Sequence, residues 1–202
     1  WARPPMWECG RASSPIIDVT PLGGHGARVS ANACGYAVLV NHGALREGVD
    51  DWTDATITAY DYGGSVRWEV VSTDRVRAFV VRPDATAVMQ VGGGVLGAWT
   101  SYDGSSWSWR HEPAVATDPE LTDAHVDRDG TVHFYPTVVD GLEIGLDEGG
   151  GIADVAIDPA GGLRATWLAR GDGASSMMGR GPDGRLYFWL SLGSLVWRDG
   201  TT

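Results

Sequence analysis

The stretch VRAFVVRPDATAVMQV at residues 76–91, followed by VLGAWTSYDGSSWSWR at residues 95–110, decides the fold. Short runs of Val, Ala, Phe and Met flank Pro83-Asp84, and a second pair of runs, rich in Trp, flanks Asp103-Gly104. Each run is the length of one strand, and Asp-Gly supplies the positive φ angles of a tight reversal. The unit therefore reads as a meander of antiparallel strands. Elsewhere Val66, Trp68 and Val70 alternate with Arg67 and Glu69, and Val132, Phe134 and Val138 with His133, Tyr135 and Thr137. That two-residue period belongs to half-buried strands. No window of helical length carries apolar residues at three and four spacing without an interrupting Gly or Pro.

Outward from this stretch the pattern repeats. Copies run from Ala27 to Val70, from Thr122 to Glu148, from Ile152 onward and from Gly181 to the end, giving four or five units. Six Asp-Gly pairs punctuate them: Asp103-Gly104, Asp129-Gly130, Asp140-Gly141, Asp172-Gly173, Asp183-Gly184 and Asp199-Gly200. The expected fold class is all-β, with propeller-like repeats of short antiparallel sheets. The competing architecture is a β-sandwich or barrel, which uses the same alternation without repeating units. A propeller hides the apolar faces of short sheets by stacking them around an axis. Trp68, Trp109 and Trp197 close their units and are expected to wedge between neighbours.

These units resemble the blades of bacterial β-propellers of the sialidase-like and quinoprotein-like kinds. SYDGSSWSW, Ser101 to Trp109, looks like a degenerate Asp-box, with Gly104 directly after Asp103 instead of two positions on. ITAYDYGGSVRWEV, Ile57 to Val70, is similar to the strand-turn-strand ending in Trp of quinoprotein-like blades. The resemblance implies one propeller-like domain over residues 27–202, preceded by an N-terminal segment, residues 1–26.

Composition narrows the setting. All fifteen basic residues are arginine and none is lysine, as expected of a GC-rich bacterial genome. The net charge is -11, and between Glu112 and Asp158 twelve carboxylates face only Arg128. Nucleic acids and anionic membrane surfaces need a basic stripe, which is absent, so neither is an expected partner. No run approaches the roughly 18 apolar residues of a membrane-spanning helix. Cys9 and Cys34 lack the spacing of a redox or zinc motif; as a disulfide they would close a loop of about 25 residues and stabilise the fold by roughly 3 kcal/mol. With an opening Trp1 in place of Met, this points to a secreted or cell-surface protein.

The candidate ligand-binding residues are Trp99, Tyr102, Asp103 and Trp107. Aromatic planes stack on the C–H face of a sugar ring while Asp and Ser groups satisfy its hydroxyls. Tyr102 and Asp103, at a turn tip, are expected to be exposed, whereas alternation places Trp107 and Trp109 on one face, where they serve equally as core. His125 and His133 flank the Asp127–Gly130 turn, where a hairpin brings them together; without HExxH or cysteine partners the expectation is no metal, with Ca2+ at Asp127 and Asp129 as the alternative to a self-bonded turn. No GxSxG motif marks a nucleophilic serine. The expected function is an extracellular recognition module for a glycan or a partner protein. The alternatives are a glycoside hydrolase or lyase using paired carboxylates, and a structural subunit of an extracellular assembly. The run RLYFWLSLGSLVW, Arg185 to Trp197, is apolar on both faces and reads as a central strand or an oligomer contact.

Overall fold

Strands formed by the alternating runs meander into four antiparallel sheets. The computed structural model describes residues 17–19, 27–32, 36–42, 55–61, 63–92, 96–115, 124–127, 129–138, 144–170, 174–180, 186–190 and 195–198. Cys9, Cys34 and four of the Asp-Gly pairs, at 140–141, 172–173, 183–184 and 199–200, lie outside these residues. Sheet 1 holds β1 (Ile17–Val19), β2 (Ala27–Ala31), β3 (Ala37–His42), β4 (Ala55–Tyr60) and β5 (Val66–Ser72) in sequence order. β1 belongs to the N-terminal segment, yet pairs directly with β2. Sheet 2 holds β6 (Val76–Val81), β7 (Ala87–Val91), β8 (Leu96–Tyr102) and β9 (Trp107–Val115), again in order.

Sheet 3 departs from the sequence reading. It contains β10 (Ala124–Val126), β11 (Val132–Phe134), β12 (Thr137–Val138), β13 (Gly151–Ile157) and β14 (Leu163–Arg170). β11 and β12 both pair with one edge of β13, at Val155–Ile157 and Gly151–Ile152, so they are one strand broken at Tyr135-Pro136. Proline cannot donate to a ladder, and here its carbonyl accepts from the Ala153 N–H instead. The repeats expected at Thr122 and at Ile152 are thus a single sheet, and the described residues form four units. Sheet 4 holds β15 (Ala174–Arg180), β16 (Leu186–Leu190) and β17 (Leu195–Arg198), with β16 central, so the apolar C-terminal run contributes an inner strand and its neighbour.

Four hairpin turns share one geometry. In Asp61–Ser65, Arg82–Thr86, Asp127–Thr131 and Asp158–Gly162 the first residue donates its N–H to the fifth carbonyl and accepts from the fourth N–H. The fourth residue must then take a positive φ; it is Gly64, Ala85, Gly130 or Gly161.

Sheets 1, 2 and 3 stack face to face in chain order. One core unites Val38, Val40, Ile57 and Trp68 of sheet 1 with Phe79, Val81, Met89 and Ala98 of sheet 2. A second unites Ala78, Val80, Val88 and Trp99 of sheet 2 with Val126, Val132, Phe134, Val155 and Ile157 of sheet 3. Sheet 2 is therefore covered on both faces, and every residue of β7 is buried. A two-sheet sandwich leaves each sheet one outer face; a row of sheets stacked in chain order, with β6 against β2, β3 and β10, is propeller-like.

Polar groups tie the sheets at the turn end. Asn32 Nδ2 donates to the Val81 and Arg82 carbonyls at 3.2 and 2.8 Å. Arg82 Nη2 in turn reaches the Ile157 and Asp158 carbonyls at 3.3 and 2.9 Å. Trp68 Nε1 donates to the Ala85 carbonyl at 3.2 Å, and its ring lies where a Cβ on Gly104 would stand, 2.5 Å from Cδ1. Trp109 covers Gly161 in the same way. Both rings wedge between neighbouring sheets; the Trp197 side chain lies outside the described set. Among the described residues no helix is long and apolar enough to cross a membrane.

Candidate functional site

A cleft of about 290 Å³ opens between sheets 1 and 2. Val71 and Ser72 at the end of β5, Thr73 and Asp74 of the connection to β6, Val91, Thr100, Trp107 and Ser108 line it. Trp107 is 41% exposed, uncommon for so large an apolar ring, and Val71 beside it is 58% exposed. The position of Trp107 follows from a bulge. Between the pairs Thr100↔Arg110 and Tyr102↔Trp107, β9 advances three residues while β8 advances two. The extra residue reverses the facing of the strand. Trp109 consequently packs on the core between sheets 2 and 3, while Trp107 turns to the other face, its ring 5.0 Å from that of Tyr102. The expectation that both tryptophans share a face is corrected by that one inserted residue.

The other sequence candidates occupy different surroundings. Trp99 is fully buried between sheets 2 and 3, so its ring is core and presents no face to a ligand. Tyr102 is half-buried, held between Trp68 (5.1 Å, 74° interplanar) and Trp107. Its role is to back Trp107. Asp103 is exposed, but its Oδ1 accepts from the Ser105 N–H, the Ser105 hydroxyl and the Ser106 N–H, each at 2.8 Å. The Ser105 and Ser106 backbone donors, with the Ser105 hydroxyl, hold its pKa down at about 2. Asp103 shapes the turn beside the cleft. The hydroxyls of Ser72, Thr100 and Ser108, with Thr73 and Asp74, carry no sequence signal, because only sheet stacking brings residues 72–74 beside residues 100–108.

A second cluster sits on the first hairpin of sheet 3. His125 and His133 are direct cross-strand partners, and their rings stack at 4.6 Å and 11°. Asp127, at the start of the turn, lies 3.2 Å from His125 Nε2 through Oδ1 and 3.2 Å from His133 Nε2 through Oδ2. The far ring nitrogens are held too: His133 Nδ1 is 2.8 Å from Asp154 Oδ1, and His125 Nδ1 is 2.8 Å from the Tyr135 hydroxyl. Burial opposes charge on His133, yet its hydrogen bonds to Asp127 and Asp154 prevail and raise its pKa to about 9. Asp127 is driven far below the usual carboxylate range, chiefly by the hydrogen bonds from His125 and His133. Asp129, the other carboxylate considered for calcium, accepts from the Thr131 N–H at 2.9 Å in its own turn. The hairpin does bring the two histidines together, but Asp154, 21 positions from His133, joins them only through the β11–β13 pairing.

No protein-family model matches the chain, and no curated protein matches it.

Proposed function

We propose that the chain is an extracellular recognition module that retains a carbohydrate in the cleft between sheets 1 and 2. The observation that carries this reading is Trp107, 41% exposed and braced by Tyr102 on the wall of a cleft lined also by Thr73, Asp74 and Ser108, with the Ser72 and Thr100 hydroxyls donating to the Asp74 and Trp109 carbonyls. A sugar needs an aromatic plane for its C–H face and short polar groups for its rim. A volume of about 290 Å³ lies at the lower end for ligand pockets and suits one sugar ring or a chain end rather than a long oligosaccharide. Asp74 is the sole carboxylate among the described lining residues. Hydrolysis by paired carboxylates needs two flanking one bond, so the lining favours retention over cleavage.

The test is a glycan array with the purified chain, followed by titration of the strongest hit against wild type, Trp107→Phe and Trp107→Ala. Wild-type binding with the glycan recovered intact, kept in part by Phe and reduced at least tenfold by Ala at an unchanged melting temperature, supports the proposal. Cleavage of the glycan replaces it with the hydrolase. Absence of any bound glycan, together with elution as a large defined oligomer, replaces it with the structural subunit.

A further inference from the structure

The cluster on the β10–β11 hairpin has the donor set and spacing of a metal centre. We infer that His125 Nε2, His133 Nε2 and the Asp127 carboxylate bind one divalent transition-metal ion of the zinc class, with Asp154 and Tyr135 as positioning residues. Three features converge on it.

The first is ligand separation. Zinc takes nitrogen and oxygen at about 2.0–2.1 Å, so neighbouring donors in a tetrahedral shell stand about 3.3 Å apart. Asp127 stands 3.2 Å from each Nε2, and the three donors lie within 4.8 Å of one another. The rings are stacked at 4.6 Å and 11°, so closing the set around one ion takes a rotation of the imidazoles towards a common point together with one of the Asp127 side chain, which is 52% exposed at the head of a turn. The exposed side leaves a path for entry and a position for water.

The second is orientation of the rings. A metal-binding histidine almost always has its other ring nitrogen hydrogen-bonded, often to a carboxylate, which sets the tautomer and aims the lone pair. Here Asp154 does this for His133, and the Tyr135 hydroxyl holds the corresponding nitrogen of His125. His133 Nε2 stands 3.2 Å from an Asp127 oxygen, a pair bridged by a proton in the ion-free chain, and an ion that binds between them takes the place of that proton.

The third is donor type. Two imidazoles and one carboxylate suit Zn2+, Co2+, Ni2+ or Cu2+, whereas calcium requires six to eight oxygens. With Asp129 bonded within its own turn, the oxygens for calcium are not assembled here. The donor set therefore favours a borderline transition metal over calcium.

The test is calorimetric titration of ZnCl2 into the chelator-treated full chain, with CaCl2 as control, for wild type, Asp127→Asn, His125→Gln, His133→Gln and Asp154→Asn. Wild type should bind one Zn2+ per chain at micromolar affinity or better, and calcium should give no saturable heat up to millimolar. Each of the three ligand substitutions should weaken Zn2+ at least 100-fold, and Asp154→Asn by about 10–100-fold. Because a buried histidine substitution can compromise folding, X-ray absorption of zinc-loaded wild type supplies an independent readout: two imidazole nitrogens and a carboxylate oxygen at about 2.0–2.1 Å. Binding of no ion, binding undiminished in Asp127→Asn and the folded histidine variants, or a zinc shell without two imidazoles each overturns the inference.

Discussion

Trp107 and Trp109 are two residues apart in sequence and face opposite ways, because β9 carries one extra residue opposite Thr100–Tyr102. Each facing creates a different dependence. Trp109 covers Gly161, whose φ is +90° and whose missing Cβ leaves room for the indole. Gly161→Ala is therefore expected to cost about 2 kcal/mol or more, from a left-handed backbone worth about 1–2 kcal/mol and displacement of the ring. Gly64 has a similar φ of +78° and nothing near its missing Cβ, so Gly64→Ala isolates the backbone part at about 1 kcal/mol. Urea midpoints for the pair measure the difference; equal losses would show that the Trp109 contact is immaterial.

At the level of single elements, the β8–β9 hairpin depends on an ionised Asp103. Its folded pKa of about 2 is below the roughly 3.8 of an unperturbed aspartate, so the folded state binds the proton less readily than the unfolded one. The stabilisation is fully present above about pH 4 and is lost as pH falls towards 2. Asp103→Ala should lower the melting temperature at pH 6, and the gap to wild type should shrink at pH 2. A gap independent of pH would mean the Asp103 charge plays no part. In the same hairpin Trp107→Ala is expected to leave melting nearly unchanged, since the ring is part-exposed and closes no sheet contact of the kind Trp68 and Trp109 make.

The whole molecule is held by what passes between sheets. Arg82 is 5% exposed and joins the turn of sheet 2 to the carbonyls of Ile157 and Asp158 in sheet 3. Arg82→Met keeps the length of the side chain and loses both hydrogen bonds, an expected cost of about 2–3 kcal/mol read as a lower denaturant midpoint at unchanged slope. Phe79, wholly buried between sheets 1 and 2, should cost about 3–5 kcal/mol as Phe79→Ala through the cavity it leaves. Loss of cooperativity in either variant, in place of a shifted single transition, would show that the sheets unfold separately.

Strand grammar was legible from residues alone because alternation and turn chemistry are local. Buried Val132, Phe134 and Val138 lie where their period places them, and Asp103-Gly104 and Asp129-Gly130 are reversals with positive φ at the glycine. Val66 departs from its period: it is 57% exposed because a register shift in the β4–β5 pairing falls between Val66 and Trp68. The Arg82–Thr86 turn falls at Pro83-Asp84 as read, but it carries Ala85 where the other three turns have glycine, which no turn dipeptide announces. The merging of two repeats into sheet 3, the opposite facings of Trp107 and Trp109, and the approach of Asp154 to His133 all arise from register between strands distant in sequence. Register is set by the summed packing of both faces, a property of paired strands that no single run of residues encodes. The ligand cleft and the histidine cluster therefore use residue types visible in the chain, in positions that exist only once the sheets have stacked.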